Sequence, residues 1–255
     1  MRSHRTTGLS PEHFTELCRR VSEHIGWSAP KGRPRALALS AAVKATVMYL
    51  RNNLTQEVIA ELLEVSQPTV SRAIADIEPV IGEVLAEYVP EVAEATTGRV
   101  VVLDGTLAPC WSWAGAPELY SGKHHTTGHN HQVAVTLDGC LAHVSDPLPG
   151  RTHDTRAARE GGLLEVLDVG NTLADKGYPG TGMLTPTRKP PGGELTAGQK
   201  DLNTQINALR AVVERAIAHL KTWRVLHTDY RRPRATYPTA FQAVRALHFF
   251  QISYE

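Results

Sequence analysis

The sequence predicts a mixed α/β domain preceded by an all-α region. Up to residue 95 the apolar residues recur at helical spacing. Beyond residue 98 short β-branched runs are separated by turns, and Asp138-Gly139 between two such runs is typical of a β-hairpin. The segment EATTGR, residues 94–99, is typical of a linker. We therefore expect a helical region over residues 1–97 and a second domain over residues 98–255.

Two helices open the predicted helical region. Ser10-Pro11-Glu12 indicates a helix start, because Ser is a favoured N-cap and Pro fits the first helical position. Residues 27–36 form a basic loop punctuated by Pro and Gly. A second, mostly apolar helix is predicted over Leu37 to Leu50.

A helix-turn-helix is predicted at about residues 54–78. Thr55 caps a short helix, and after a break Ser66 caps a second helix with Pro68 in its first turn. Four polar side chains on the outward face of the second helix suit base edges and phosphates: Gln67, Thr69, Ser71 and Arg72. Glu64 stands where such motifs often have Gly, and this region is otherwise acidic. A purely structural or dimerising role for the element therefore stays open.

Two predicted strands of the second domain end in an aspartate. The run RVVVL, residues 99–103, fits a buried strand and leads into Asp104, and a later apolar run leads into Asp175. Between them, residues 131–137 and 140–146 form the predicted hairpin. An Asp at the carboxyl end of a central strand is a common place for a catalytic or metal-binding carboxylate, although it is also a common turn residue.

A helix is predicted over Asn203 to Arg224, because this run has neither Pro nor Gly and is rich in Ala, Leu and Arg. Arg210, Glu214 and Lys221 project within one narrow stripe of that helix. An adjacent apolar stripe places Glu214 at the rim of the core; its members are Ile206, Leu209, Val213, Ala216, Ile217 and Leu220. Taken alone, the pattern fits a catalytic carboxylate and a surface ion pair equally well.

The three carboxylates together predict a cation site. Asp104, Asp175 and Glu214 would repel one another at a sheet edge unless a cation were bound, and hard oxygen ligands suit Mg²⁺ or Mn²⁺. A pair of such ions supports phosphodiester cleavage and transfer by activating the attacking oxygen and stabilising the leaving one. Arg210, Arg215 and Lys221 would then neutralise DNA phosphates.

At this point the chain resembles a known family. The ordered segments LDGT, YSGKHHTTGHNHQVAV, PGRTHD, ADKGYPG and RAVVERAIAHLKTWR resemble the DDE-type transposases of bacterial insertion sequences, in the branch related to Harbinger-type nucleases. The resemblance covers essentially the whole chain. It implies a ribonuclease H-like catalytic domain behind a helix-turn-helix, with the family's acids falling on Asp104, Asp175 and Glu214. Lys123, in the second segment, is expected to contact DNA.

The resemblance implies a metal-dependent transposase that cleaves and joins DNA at the ends of an insertion sequence. The alternatives are a transposase-derived DNA-binding protein and a nuclease without strand transfer. The implied partners are double-stranded DNA with terminal inverted repeats, target DNA and further copies of the chain. Many relatives carry Tyr, two residues, Arg, three residues, Glu, six residues and Lys; Arg210, Glu214 and Lys221 match, but Asn207 replaces the Tyr.

Three further features have competing interpretations. Four His in residues 124–131 suggest zinc, although alternating His before a strand equally suit phosphates. Asp154 is either a fourth acid near the metals or the cap of the following helix. Three Trp residues are either base-stacking or core: Trp111, Trp113 and Trp223.

Charge and composition limit the classes of protein to which the chain can belong. Residues 1–35 carry seven Lys/Arg against three acids, and residues 199–234 carry eight against three, which suggests a polyanion partner unless the segregation is chance. Three Cys without ligand spacing indicate reduced, packed thiols. We expect no membrane span and no signal peptide, and a cytoplasmic, nucleoid-associated bacterial protein.

Overall fold

The computed structural model describes residues 6–27, 34–112 and 115–253. Most of the predicted basic loop at residues 27–36 therefore lies outside the described residues. Within the described ranges, no helix combines the length and the apolar character that a membrane crossing requires.

The chain divides into two compact units. One comprises Met1–Val89 together with Lys221–Glu255, and the other comprises Pro90–Leu220. The C-terminal residues thus pack in the first unit, whereas the sequence assigns them to the second predicted domain. The division of the sequence at residue 97 stays a prediction.

The α-helices are numbered in chain order. They are α1 Pro11–His24, α2 Leu39–Asn52, α3 Gln56–Leu62, α4 Gln67–Val84, α5 Val92–Thr96, α6 Asp154–Glu160, α7 Leu163–Val166, α8 Ala197–Leu220 and α9 Tyr237–Ile252. The strands are β1 Val101–Pro109, β2 Tyr120–Ser121, β3 Thr126–Thr136, β4 Leu141–Val144, β5 Leu148–Pro149 and β6 Thr172–Ala174.

Local capping explains where the first helices begin. The Ser10 hydroxyl accepts a hydrogen bond from the His13 amide at 3.1 Å, and the Thr55 hydroxyl accepts one from the Val58 amide. Ser66 occupies the N-cap position of α4, but its hydroxyl is hydrogen-bonded to the Thr69 hydroxyl and does not cap the backbone. Two of the three predicted caps therefore form.

Helices α3 and α4 form the predicted helix-turn-helix, joined by Leu63 to Ser66. Glu64 in this turn has φ 54°, which is the left-handed region that an L residue adopts at a cost of about 1–2 kcal/mol. The position that favours Gly thus carries a strained Glu.

Helix α4 is the centre of the first unit, because α1, α2, α3 and α9 all pack against it. Helix α9 packs against α4 and contributes the fully buried rings of Phe241 and Phe250 to the core of this unit. An ion pair also lies in this core: the guanidinium of Arg232 donates to both carboxylate oxygens of Glu78 at 2.7 and 2.8 Å. Glu78 is only 1% exposed, so its charge depends on Arg232.

The second unit contains a mixed sheet with the strand order β2-β3-β1-β6, in which β4 and β5 also pair with β3. Strand β1 is antiparallel to β3 over nine residue pairs and parallel to β6 over three. The predicted hairpin is present as β3 and β4. The predicted fold class is confirmed: a mixed sheet flanked by helices follows a helical region with a helix-turn-helix, which is consistent with a ribonuclease H-like fold.

The two long strands extend beyond the predicted runs. Strand β1 continues to Pro109, so Asp104 lies in the middle of the strand and the expectation that it ends the strand is wrong. Antiparallel pairing with the equally long β3 explains the extension, because each residue from Asp104 to Pro109 has a partner on β3.

Side chains of β1 alternate between the two faces of the sheet, and helices pack on these faces. Val101 and Leu103 of β1 point into a core shared with α6, α7 and the segment after β6, which also contains Ala134, Ala158, Leu163, Leu167, Ala174, Tyr178 and Met183. Helix α8 packs against β1, β3 and β6. Since Asp104 lies one residue after Leu103, it points to the opposite side of β1 from this core.

Candidate active site

Asp104 and Asp175 lie side by side on neighbouring parallel strands. Leu103 and Ala174 are the last paired residues of β1 and β6, and each aspartate follows immediately. Burial raises the pKa of Asp104, the Arg210 guanidinium counteracts that rise, and the negative charge of Asp175 adds to it. The parallel pairing of β1 with β6 therefore brings the two predicted carboxylates to neighbouring positions.

Backbone amides hold both carboxylates in place. Oδ1 of Asp104 accepts a hydrogen bond from the Gly105 amide at 2.8 Å, and Oδ1 of Asp175 accepts one from the Gly177 amide at 2.6 Å. Bonds from main-chain donors fix the orientation of a carboxylate without any help from mobile side chains. The two acids are therefore preorganised.

Arg210 supplies a positive charge to this pair from helix α8. Its Nη2 lies 3.0 Å from Oδ2 of Asp104, and the two side chains are 13% and 17% exposed. The Nε of Arg210 is buried without a hydrogen-bond partner among the described residues. The guanidinium thus neutralises Asp104, and its Nε–H group has no acceptor among the described residues.

Glu214 occupies a different environment from that predicted. It lies one turn after Arg210 on α8 but is exposed, and no hydrogen bond or ion pair joins it to the residues that the structure describes. Of the predicted apolar stripe, Ile206, Val213 and Leu220 are buried, whereas Leu209 is 46% exposed. The expected place of Glu214 at the rim of the core is wrong, because its side chain is exposed.

Lys221 lies outside the helix, because α8 ends at Leu220. Arg210, Glu214 and Lys221 were predicted to share one stripe of this helix. Only Arg210 and Glu214 lie on the helix. Lys221 is half-buried, and burial lowers the pKa of its ammonium group. Arg215 and Asn207 are both exposed on α8.

The three predicted acids do not lie together as a metal-binding group among the described residues. Among residues 6–27, 34–112 and 115–253, no group of three or more His, Cys, Asp or Glu side chains is arranged to hold a metal ion. The structure brings Asp104 and Asp175 together and leaves Glu214 apart from that group.

Asp154 adjoins the aspartate pair. It is the first residue of α6, the N-cap position is His153, and neither supplies the capping bond that was considered from sequence. The Asp154 carboxylate is 8% exposed and receives the Lys123 ammonium at 2.8 Å. A Cβ on Gly177 would stand 2.6 Å from Oδ1 of Asp175 and 3.2 Å from Oδ2 of Asp154, so these two carboxylates face the same glycine.

A buried chain of polar side chains leads to Asp154. The Tyr178 hydroxyl donates to Oε1 of Gln132 at 2.6 Å, and Nε2 of Gln132 donates to Oδ1 of Asn130 at 3.1 Å. The Asn130 amide in turn donates to Oδ1 of Asp154 at 3.4 Å and to the carbonyl of Thr152 at 2.9 Å. Sequence reasoning missed these residues. The signal was an uninterrupted polar run, GHNHQ, inside a strand.

The histidine-rich segment is divided between a turn and strand β3. His124 and His125 are exposed, whereas His129 and His131 are buried in β3, and Nδ1 of His131 is hydrogen-bonded to the Ser145 carbonyl at 2.9 Å. A cleft of about 310 Å³ opens beside Asp154, with Lys123, His124, Asn130, Arg151 and His153 among its lining residues. Basic side chains therefore line the cleft beside Asp154.

The predicted DNA-reading residues of α4 differ in availability. Gln67 is hydrogen-bonded to Gln56, and Thr69 is hydrogen-bonded to Ser66. Ser71 is half-buried, whereas Arg72 is exposed and makes no ion pair with the described residues. Arg72 is thus the side chain of this set that is ready for a phosphate.

The three tryptophans also differ. Trp223 is fully buried, with the Arg51 guanidinium 5.2 Å from its ring centre, and it serves the core. Trp111 is 53% exposed. Trp113 lies outside the described residues.

Comparisons with known proteins identify the family of the chain and two of its relatives. Residues 103–248 match the family described as DDE superfamily endonuclease, and residues 37–87 match the helix-turn-helix of DDE superfamily endonuclease. The chain is 32% identical over 222 residues to a protein described as a transposase for insertion sequence element IS112 of Streptomyces albus G, covering 86% of this chain and 83% of the relative. It is 26% identical over 266 residues to one described as a transposase for element IS702 of Microchaete diplosiphon, covering 98% and 94%.

Proposed function

This chain belongs to the DDE superfamily endonucleases, and on that premise we propose that it is a DNA transposase that cleaves and joins strands at the ends of an insertion sequence. The observation that carries the proposal is the convergence of Asp104 and Asp175 on neighbouring strands, with Arg210 at 3.0 Å from the first of them. A DNA-binding protein derived from a transposase has no need for a half-buried pair of like charges, since such a pair costs stability.

The donor set fits a divalent cation. Carboxylates fixed by backbone amides are hard oxygen ligands, and the guanidinium on Asp104 shows that this position already attracts positive charge. We propose that Asp104, Asp175 and Glu214 hold Mg²⁺ or Mn²⁺, as two ions. When bound, such ions lower the barrier to phosphodiester cleavage and transfer by stabilising charge on the attacking and leaving oxygens.

The other residues act on the DNA backbone. Arg210 orients Asp104 and directs its remaining donor toward a phosphate oxygen. Arg215, Lys221 and Lys123 bind phosphates on either side of the scissile bond. Glu214 completes the acidic set from α8, where its exposed position lets the carboxylate meet incoming DNA and cation together.

The N-terminal part would supply recognition. Residues 1–97 bind the terminal inverted repeats, with Gln67, Thr69, Ser71 and Arg72 of α4 at the DNA, and residues 98–255 carry out catalysis on element ends and target DNA. Joining two ends requires more than one active site, so the protein acts as a homo-oligomer on DNA. We place it in the bacterial cytoplasm with the nucleoid.

The decisive experiment is strand cleavage on DNA that carries the element ends, with Mg²⁺, scored for both cut and joined products. We expect Asp104→Asn, Asp175→Asn and Glu214→Gln each to lower the cleavage rate by a factor on the order of 100 or more, because removal of even an outer partner of a metal site costs about 10–100-fold. Glu165→Gln is the matched control, since Glu165 is an exposed helical acid on α7.

Three outcomes separate the alternatives. Undiminished cleavage in the three variants would overturn the acid assignment. Cut products without joined products would indicate a nuclease without strand transfer. Specific DNA binding without cleavage, together with a melting temperature that Mn²⁺ does not raise, would indicate a DNA-binding protein derived from a transposase.

A further inference from the structure

A groove of about 740 Å³ opens beside the outward face of helix α4. On one side it is lined by residues of α4 and of the turn before it, and on the other by Trp27 and residues 34–37, which precede α2. The side formed by α4 includes Thr69 and Arg72, which the proposed function places at the DNA. A DNA duplex that meets this face of α4 therefore also meets the segment across the groove.

Arg35 is held between two partners in this groove. Its Nη1 donates to Oδ2 of Asp76 on α4 at 2.6 Å, and its guanidinium carbon lies 4.0 Å from the centre of the Trp27 ring. Trp27 is fixed in turn, because its indole N–H donates to the carbonyl oxygen of Leu37 at 2.8 Å. An aromatic ring on one face and a carboxylate at one edge set the plane of the guanidinium before any ligand arrives.

The ion pair also changes the charge of this face of α4. Asp76 lies one turn after Arg72, and an unpaired carboxylate there would repel the DNA backbone. Arg35 neutralises that carboxylate. The side chains of Arg35 and Asp76 are 39% and 43% exposed, so the other N–H groups of the guanidinium remain open to a ligand in the groove.

A guanidinium with a fixed plane suits a base edge better than a phosphate. Phosphate contacts tolerate a mobile side chain, whereas contact with guanine requires paired donors aimed at its O6 and N7 atoms. Preorganisation of the side chain lowers the entropy that such a contact costs. Arg72, which makes no ion pair with the described residues, has no such constraint and suits a phosphate.

From this geometry we propose that Arg35, held by Trp27 and Asp76, contacts the edge of a guanine next to the bases that α4 meets, and thereby contributes to the sequence preference of DNA binding. The inference rests on the proposed function, because it concerns recognition of the element ends. It adds a residue from outside the helix-turn-helix to those that select the sequence. Asp76 is a positioning residue that acts through Arg35.

The test measures DNA binding by the full chain in EDTA, so that cleavage plays no part. The wild type first selects its preferred duplex from a randomised pool. Fluorescence anisotropy then gives the preference ratio, which is the affinity for the selected duplex divided by the affinity for a shuffled duplex of the same composition. We expect Arg35→Met to lower this ratio by about 10-fold, because one base contact is lost. Selection repeated with Arg35→Met should no longer enrich one particular G·C pair.

Asp76→Asn tests the positioning role. It keeps the size of the side chain but releases Arg35, so the preference ratio should fall severalfold, although loss of a negative charge favours binding to both duplexes. The control is Arg19→Met, since Arg19 is an exposed arginine that pairs with Glu16 and Glu23 on α1, and its ratio should equal that of the wild type. A pair that only stabilises the fold would leave the ratio unchanged in Asp76→Asn.

Two results with Arg35→Met would overturn the inference. Equal loss of affinity for both duplexes would indicate a phosphate contact only. Tighter binding of both duplexes would show that residues 34–37 cover α4 and must leave it before DNA binds. Should Arg35→Met fail to fold, the ratio in Asp76→Asn decides, and an unchanged ratio there overturns the inference.

These outcomes are distinct from failure of the proposed function. An unchanged ratio in Arg35→Met, with cleavage that still depends on Asp104, would overturn the inference and leave the proposed function standing. A wild type that selects no sequence from the pool would overturn both the inference and the recognition of terminal repeats by residues 1–97.

Discussion

The guanidinium of Arg210 lies 3.0 Å from Oδ2 of Asp104 and thereby joins helix α8 to the central strand of the sheet. The contact spans 106 residues of sequence. It fixes the part of α8 that carries Glu214, one turn further on, relative to the aspartate pair. The charge state and position of Asp104 are therefore coupled to the helix that carries the remaining predicted ligand.

We expect Asp104→Asn to stabilise the metal-free protein at neutral pH. Burial and the charge of Asp175 raise the pKa of Asp104 despite Arg210, so the folded protein binds this proton more tightly than the unfolded chain. In the wild type, the stability contributed by this bound proton is fully present below the ordinary Asp pKa of about 3.9. It is lost as the pH rises through the raised pKa of the folded protein.

The measurement is the melting temperature of both proteins in EDTA from pH 4 to pH 7.5. The wild type should lose stability relative to Asp104→Asn as the pH rises. Parallel curves would contradict this prediction. Added Mn²⁺ should raise the melting temperature of the wild type more than that of the variant.

Gly105→Ala should impair cleavage while leaving the protein folded. The new methyl group would stand 2.3 Å from Oδ1 of Asp154 and must displace that carboxylate or bend β1. We expect a loss of about 10-fold or more in cleavage rate. The control is Gly198→Ala on α8, where a Cβ meets nothing within 4 Å and cleavage should be unchanged. Equal rates for the two variants would show that Asp154 tolerates displacement.

Glu64→Gly should stabilise the helix-turn-helix. Relief of the left-handed conformation outweighs the greater freedom of Gly in the unfolded chain, and we expect a gain of about 0.5–1 kcal/mol in the free energy of unfolding. Urea unfolding measures it. Glu61→Gly in α3 removes the same charge from a helical position and should instead cost about 1 kcal/mol. A loss of stability in both variants would contradict the strain argument.

Arg72→Ala should weaken DNA binding nearly equally for all sequences. An exposed guanidinium without an ion-pair partner suits a phosphate, and loss of one phosphate contact lowers the slope of log affinity against log salt by about 1. Fluorescence anisotropy at several salt concentrations measures the slope. Arg156→Ala, at an exposed pair with Glu160, is the control. An unchanged slope in Arg72→Ala would favour a structural or dimerising role for α4.

Arg232→Met should cost about 3–5 kcal/mol of stability, because it leaves the buried carboxylate of Glu78 without its partner. Chemical denaturation measures the loss. Arg156→Met breaks an exposed pair and should stay within about 0.5 kcal/mol of the wild type. The double variant Arg232→Met with Glu78→Leu should recover part of the loss, and failure to recover would argue against an unpaired charge as the cause.

Much of the fold was readable from local patterns. Ser10, Thr55 and the Asp138-Gly139 turn act over a few residues, and the structure has the helix starts and the hairpin where they indicate. The full extent of β1 was not readable, because its second half is held by pairing with β3 across intervening sequence. The exposure of Leu209 and Glu214 on α8 was not readable either, because it depends on which part of the helix the sheet covers.

The candidate site could also be predicted from the sequence only in part. Two of its acids, Asp104 and Asp175, follow apolar runs whose parallel pairing brings them together, as strand patterns suggest. The approach of Asp154 depends on Gly105, Gly177 and the buried amides of β3, which carry no periodic signal. The polar run inside β3 indicates a site only once the hydrogen-bond partners of its side chains are known.

The register of β1 against β6 also bears on how the site is assembled. Neighbouring strands lie about 4.8 Å apart whatever side chains they carry, so the spacing of the Asp104 and Asp175 backbones is set by the main chain alone. The place of Glu214 is set differently, because side-chain contacts such as the Arg210–Asp104 ion pair hold α8 against the sheet. Main-chain pairing therefore spaces two of the three predicted acids, whereas a side-chain ion pair positions the helix that carries the third.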